Sequence, residues 1–281
     1  MNAHDANPGA ISRDEHLDFI ESAVRLKLWF VRQHLQSHPA ETFRNAVDHR
    51  VDIWRKTSLN PAHLDGPWQL EKCPVWPSLA AELEELHRAT LGETTAAAFE
   101  ERGIALLRPY LHARVERDLE DIRNKVDLQS YQCGSLRHNL EVSPEYPQRI
   151  GFHIANDCYP RSPFDDSHYF PACFLDLMDR CAEQFGVLEI GTSTWLNSVP
   201  RWLRMFPSEW AEHMGPPLTD VRWHYGFWGQ FITARKTFNH KLGAKFRQTG
   251  IMPYALRSSW CTTAAMREHL QHYEQEGSRR S

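Results

Sequence analysis

CGSLRHNLE (Cys133–Glu141) and RIGFHIAN (Arg149–Asn156) decide the fold class. In the first segment Leu136, His138 and Leu140 alternate with Arg137, Asn139 and Glu141. In the second, Phe152 and Ile154 alternate with Gly151, His153 and Ala155. Side chains on a strand change face at every residue, so period two in both segments predicts two strands. The intervening VSPEYPQ is expected as the loop of an antiparallel hairpin. With Glu141 opposite Arg149, Arg137 falls opposite His153, and Arg137, Asn139, Glu141 and His153 share one face. Leu136, Leu140, Phe152 and Ile154 fill the other. Such a sheet turns one face to a core and one to a polar cleft, and a one-residue slip would exchange the two.

Downstream, Asp165 or Asp166 is placed to cap a helix in which Phe170, Phe174, Leu177 and Cys181 share a face. Gly186 is placed to end it. Val187–Asn197 (VLEIGTSTWLN) is expected as a strand, and Pro200 opens a short helix capped by Asn197 or Ser198. Arg222–Gln230 (RWHYGFWGQ) reads as a further strand, with Trp223, Tyr225, Phe227 and then Phe231 on one face and His224, Trp228 and Gln230 on the other. Two helices, near Phe238–Gln248 and Thr262–Tyr273, finish the chain.

Upstream the pattern is helical. Leu17, Ile20, Val24, Val31 and Leu35 recur on one helix face, and Ser12 with Glu15 forms a capping-box pattern before them. Phe43, Val47, Val51 and Trp54 predict a second amphipathic helix. Residues 57–78, with Pro61, Gly66, Pro67, Pro74 and Pro77, predict a long irregular connection. Leu79, Leu83 and Leu86 predict a short helix. A stripe from Ile104 to Val126 predicts a long one that Pro109 kinks or divides. The chain therefore divides near residue 128, into a helical domain (1–127) and an α/β domain (128–281). The expected fold class is α+β (α/β-like), a helical N-terminal region packed on a mixed sheet with flanking helices.

Composition narrows the function classes. Of the 281 residues 41% are hydrophobic and 24% charged, ordinary for a globular protein with a core. A net charge of −4 argues against a general nucleic-acid binder. No apolar run reaches the length of a membrane span, and the polar start MNAHDANPGA has no leader pattern. Six cysteines without a CxxC pair read as reduced thiols, and a cytoplasmic location is expected. Ten tryptophans and sixteen histidines point to aromatic pockets and titratable clusters.

Glu141 and His153 are the expected catalytic pair, since an imidazole titrates near neutrality and a neighbouring carboxylate orients it or acts as a base. The expected substrate-binding set is Arg137, Asn139, Asn156, Asn197, Arg201, His224, Trp228 and Gln230. Asn197 and Arg201 enter through the helix N-terminus at Pro200, where free amides attract an anion. A second reading takes His138, Glu141, His153 and His224 as an Fe or Zn ligand set for redox or hydrolytic chemistry. A third is a non-catalytic small-molecule-binding module. From the helical half His49, Asp52 and His112 are candidates to reach the site. No GxSxG elbow surrounds Thr192–Thr194, which argues against a serine hydrolase.

CGSLRHNLE, FHIAN and STWLNSVPRWLRMFP together resemble two-domain acyltransferase-type proteins that join a helical N-terminal domain to a GNAT-like C-terminal domain. The resemblance spans roughly residues 128–232. It implies a GNAT-like mixed sheet and a transferase that moves an acyl group from acyl-CoA to an amine of a small polar metabolite in biosynthesis. In that scheme Glu141 or His153 deprotonates the amine, and backbone amides along a splayed strand polarise the thioester carbonyl. The chain departs from the family in lacking the pyrophosphate-binding R/Q-x-x-G-x-G/A loop, and in having Asn-Ser (Asn197, Ser198) where the family keeps Leu-Asp.

Overall fold

The structure, a computed structural model, describes residues 11–63 and 69–278. The N-terminal ten residues lie outside the described residues, as do Gly66 and Pro67 of the expected irregular connection. The protein is of the α+β class. Its longer helices are α1 (Arg13–Ser37), α2 (Trp76–Ala89), α3 (Ala97–Arg123), α4 (Tyr169–Phe185), α5 (His240–Thr249) and α6 (Thr263–Ser278). Four strands, β1 (Leu136–His138), β2 (Arg149–Ile154), β3 (Glu189–Thr194) and β4 (Arg257–Thr262), form one sheet in the order β1-β2-β3-β4. The chain forms two compact units. One comprises Met1–Asp127 with Val221–Pro253, the other Leu128–Asp220 with Tyr254–Ser281.

In the helical unit, α1 starts at a complete capping box. Ser12 Oγ accepts from the Glu15 N–H at 3.2 Å, and Glu15 Oε2 accepts from the Ser12 N–H at 2.9 Å. α1 packs along α3, burying Ile20, Val24 and Val31 together with Ile104, Leu107 and Leu111. α3 runs unbroken through Pro109, so the expected division does not occur. The apolar stripe on both sides of the proline packs as one surface and outweighs the lost backbone bond. The helix expected over Phe43–Trp54 runs without a gap from Phe43 to Val51, with Ala46–Val51 in π-helical form. It stops there because Asp52 takes a left-handed conformation (φ 46°) that a helix cannot include, and Trp54–Lys56 is a separate 3₁₀ turn.

The expected strand Arg222–Gln230 is helical instead. Tyr225–Trp228 makes one α-turn and Gly229–Phe231 a 3₁₀ turn, both in the helical unit. His224 Nδ1 accepts from the Gly226 N–H at 3.2 Å and starts the turn. Phe227, Trp228 and Phe231 are all buried. They reach the core at spacings of three and four, which the alternation of Trp223, Tyr225 and Phe227 concealed.

In the sheet unit, β1 and β2 pair antiparallel with Leu136 opposite Ile154, Arg137 opposite His153 and His138 opposite Phe152. β2 and β3 are parallel, joined through α4, and β3 and β4 are antiparallel. Gly186 ends α4 at φ 64°, where a side chain would be strained, and its N–H bonds the Ala182 carbonyl. Leu136, Ile150, Phe152, Ile190 and Cys261 line the core face against Phe174 and Leu177 of α4 and Leu270 of α6. Burying each large apolar side chain fully contributes about 1.5–3 kcal/mol. β4 has no counterpart in the expected elements. Its sequence RSSWCT lacks an alternating apolar set, with Cys261 opposite Ile190 as its apolar core contact.

Candidate functional site

The sheet opens at its middle. β2 and β3 pair through Arg149/Glu189, Ile150/Ile190 and Gly151/Gly191, and the ladder ends there. Both strands continue, but each remains paired only with its outer neighbour. Phe152 and His153 stay opposite His138 and Arg137 on β1, while Thr192, Ser193 and Thr194 stay opposite Ser259, Ser258 and Arg257 on β4. Gly151 and Ala155 direct their main-chain groups to the β1 side, bonding Asn139 N at 2.8 Å and Ser135 O at 3.0 Å. By strand alternation Phe152 and Ile154 direct theirs toward β3, into the gap. Thr192 Oγ1 closes part of it by donating to Phe152 O at 2.7 Å.

His153 stands on the polar face beside this gap and is solvent-accessible. Its Nε2 meets Asn139 Oδ1 at 2.7 Å. Asn139 reaches it by lying over Gly151, where a Cβ would stand 2.5 Å from Asn139 Nδ2. With the amide oxygen accepting, Nε2 carries the proton and Nδ1 keeps its lone pair. Lost hydration and the positive charge of Arg137 both hold the imidazole below its ordinary pKa, which favours its neutral form. Arg137 lies 5.4 Å from the Tyr131 ring, and its buried Nε–H has no hydrogen-bond partner among the described residues. Arg149 covers Trp260 at 3.8 Å on the same face and pairs with Glu189 at 2.9 Å.

Glu141 departs from its expected place. β1 stops at His138, the chain bends away toward Ser143 and Pro144, and Glu141 is exposed with no hydrogen bond among the described residues. Leu140 is 81% exposed instead of core-facing. His138 faces the core, its Nδ1 on the Asn139 carbonyl at 2.7 Å and its ring edge-on to Phe185. His138 and His153 thus occupy opposite faces, and His224 belongs to the helical unit. Among the described residues no three His, Cys, Asp or Glu side chains gather to hold a metal ion, so this set does not fit Fe or Zn.

The remaining expected binding residues are dispersed. Asn156 closes a turn, its amide donating to Arg161 O at 2.9 Å and accepting from Cys158 N at 3.0 Å. Asn197 is 2% exposed and fully engaged, donating to Thr192 O and Arg257 O and accepting from the Trp202 and Trp210 indoles. The helix at Pro200 spans only Pro200–Leu203 and is entered from Val199, with no side-chain cap from Asn197 or Ser198. Arg201 is exposed, its guanidinium 5.3 Å from the Phe164 ring. Gln230 is buried and donates to Phe227 O at 2.9 Å. Trp228 lines a cavity in the helical unit together with Lys27, Asp52 and Lys56. Neither lysine stood out in the sequence, where each reads as one cation among many.

No family model, curated protein or solved structure matches this chain. The chemistry therefore rests on the geometry. A groove of about 550 Å³ opens beside the C-terminal end of β3, lined by Ser198, Phe206, Trp210, Met214 and Arg257. All six cysteines are free thiols, and burial raises the pKa of Cys133 and Cys181, the latter to about 11. Burial keeps these two thiols protonated and unreactive. The segment between β2 and α4 fits a diphosphate poorly, since it carries Asp157, Asp165 and Asp166 against one arginine, Arg161. Asp165 and Asp166 accept from the N–H groups of Ser162 and His168. Among the described residues no helix is long and apolar enough to cross a membrane.

Proposed function

We propose that the sheet unit transfers an acyl group from a thioester to an amine of a small polar molecule, with His153 as the base. The observation that carries this reading is the parting of two parallel strands beyond Gly151 and Gly191, directly beside a histidine oriented by Asn139. Main-chain groups of Phe152 and Ile154 turned into the gap are suited to hold a thioester and polarise its carbonyl. His153 Nδ1 takes the proton from the amine as its nitrogen attacks the carbonyl carbon. The C–S bond then breaks, the thiolate leaves and is protonated, and the products are an amide and a thiol. Glu141, exposed and unengaged, is not given a role in this scheme.

The acidic segment after β2 disfavours the diphosphate of acyl-CoA there, so the thioester is proposed without its nucleotide portion being read at that loop. Thiol release from acetyl-CoA and from acetyl-N-acetylcysteamine, across a panel of polar amines, is the measurement. Amine-dependent thiol release that His153→Ala lowers by about a hundredfold or more, with the circular dichroism spectrum unchanged, is expected. No amine-dependent release from either thioester, or unaltered turnover in His153→Ala, would overturn the reading.

A further inference from the structure

The helical unit holds a cavity of its own, about 40 Å³, which plays no part in acyl transfer on the sheet. Two amines reach it from different elements. Lys27, in the middle of α1, is 5% exposed, and its Nζ donates to the Val51 carbonyl at 2.6 Å. That bond uses one of three N–H groups. The same Nζ lies 5.5 Å from the Trp228 ring centroid. Lys56 lies half-buried, its Nζ 3.4 Å from Tyr225 Oη and 5.4 Å from that ring.

Asp52 is the carboxylate of the lining, and it is already engaged. Arg55 Nε donates to Asp52 Oδ2 at 2.6 Å, and the guanidinium stacks on Trp223 at 4.3 Å. Asp52 offsets part of the Lys27 charge as well as pairing with Arg55, so the aromatic-walled lining sets three basic side chains, Lys27, Arg55 and Lys56, against one carboxylate. Burial, then the charge of Lys56, lower the Lys27 pKa to about 7. An enclosed cation with unused N–H groups is costly unless an acceptor meets it. A bound anion would supply one and relieve the repulsion between the amines.

We propose that this cavity binds the carboxylate of a small monoanionic molecule with an aromatic or aliphatic body, its oxygens accepting from Lys27 and Lys56. A space of about 40 Å³ admits the head group and little more. The body therefore lies at the mouth, against Trp223 and Tyr225, where flat apolar surface is on offer. Two amines matched to two oxygens select a carboxylate over a neutral amide of the same shape.

The test is calorimetric titration of the full-length protein with phenylacetate and with hexanoate, at ionic strength held constant with chloride. Phenylacetamide serves as the neutral isostere. At least one carboxylate is expected to bind, raise the melting temperature, and exceed the amide by about tenfold or more in affinity. Lys56→Gln, at a half-buried position that tolerates it, is expected to weaken carboxylate binding by about tenfold. It should leave any amide binding unchanged, and Lys27→Met should behave in the same way. Absence of carboxylate binding at millimolar concentration would overturn the proposal. Equal affinity for acid and amide, or unchanged affinity in Lys56→Gln, would overturn it too.

Discussion

The amide of Asn139 lies across Gly151 and meets Nε2 of His153 at 2.7 Å. A side chain at 151 is incompatible with that path, since its Cβ would come within 2.5 Å of Asn139 Nδ2. Asn139 is exposed and its amide is the free end of a side chain, so the amide moves before the strand does. Gly151→Ala is therefore expected to detach Asn139 from His153 while the sheet stays folded. Activity should fall by about tenfold to a hundredfold, less than on deleting the base itself, with little change in melting temperature. Asn139→Ala should reproduce the loss. A folded Gly151→Ala protein with full activity would remove the amide from the reaction.

In the proposed reaction Arg137 is expected to set the pH range. It stands opposite His153, and its charge, after lost hydration, holds the imidazole pKa below its ordinary value. A base works in its neutral form, so kcat/KM is flat above the imidazole pKa and falls as pH drops through it. Arg137→Gln removes a positive neighbour, makes the imidazolium easier to form and raises the pKa. The acid limb of kcat/KM should move to higher pH. The check is a pH profile of parent and variant from about pH 5 to 8, the range in which histidine titrates. An unmoved limb would assign it to another group.

The strand character of the two hairpin segments was legible from period two. The register that puts Arg137 opposite His153 was not, because a one-residue slip leaves the same alternation in each segment. The helix caps at Ser12 and Gly186 were legible, each being a local hydrogen-bonding motif. Glu141 was not, because strand length depends on where β2 runs out of pairing, and Ser143 and Pro144 draw the chain away first. The turn at Tyr225–Trp228 was hidden because aromatic residues suit either period. The lysine cavity was beyond reach, since Lys27 and Lys56 come together only through the left-handed turn at Asp52.

Asn197 separates a structural role from a binding one. Its amide donates at 3.1 and 2.9 Å to Thr192 O and Arg257 O, and its oxygen accepts from two indoles at 3.1 and 3.3 Å. Leucine at 197 fills a similar volume but leaves the buried indole N–H groups of Trp202 and Trp210 without their acceptor and takes a donor from the part-buried Thr192 and Arg257 carbonyls. At about 1–3 kcal/mol for each group left unsatisfied, with partial relaxation, Asn197→Leu should lose about 3–5 kcal/mol. Urea unfolding measures this. A variant of parental stability with a raised KM would instead make Asn197 a substrate contact.

Lys27 should make stability depend on pH in the alkaline range, with a definite sign. Its pKa is 10.5 as an ordinary amine and about 7 in the fold. Between these values the unfolded chain holds the proton more tightly than the folded one, so stability falls as pH drops from 10.5 to about 7 and levels off below. The full difference corresponds to at most about 5 kcal/mol. Lys27→Met removes that cost but strands the Val51 carbonyl, at about 1–3 kcal/mol. In carboxylate-free buffer the variant should therefore exceed its parent by about 1–3 kcal/mol at pH 7. That advantage should vanish toward pH 10, where the parent amine is neutral in the fold and no longer costly. Urea unfolding at both pH values decides it, and a difference that does not change with pH would show that Lys27 is not the titrating group.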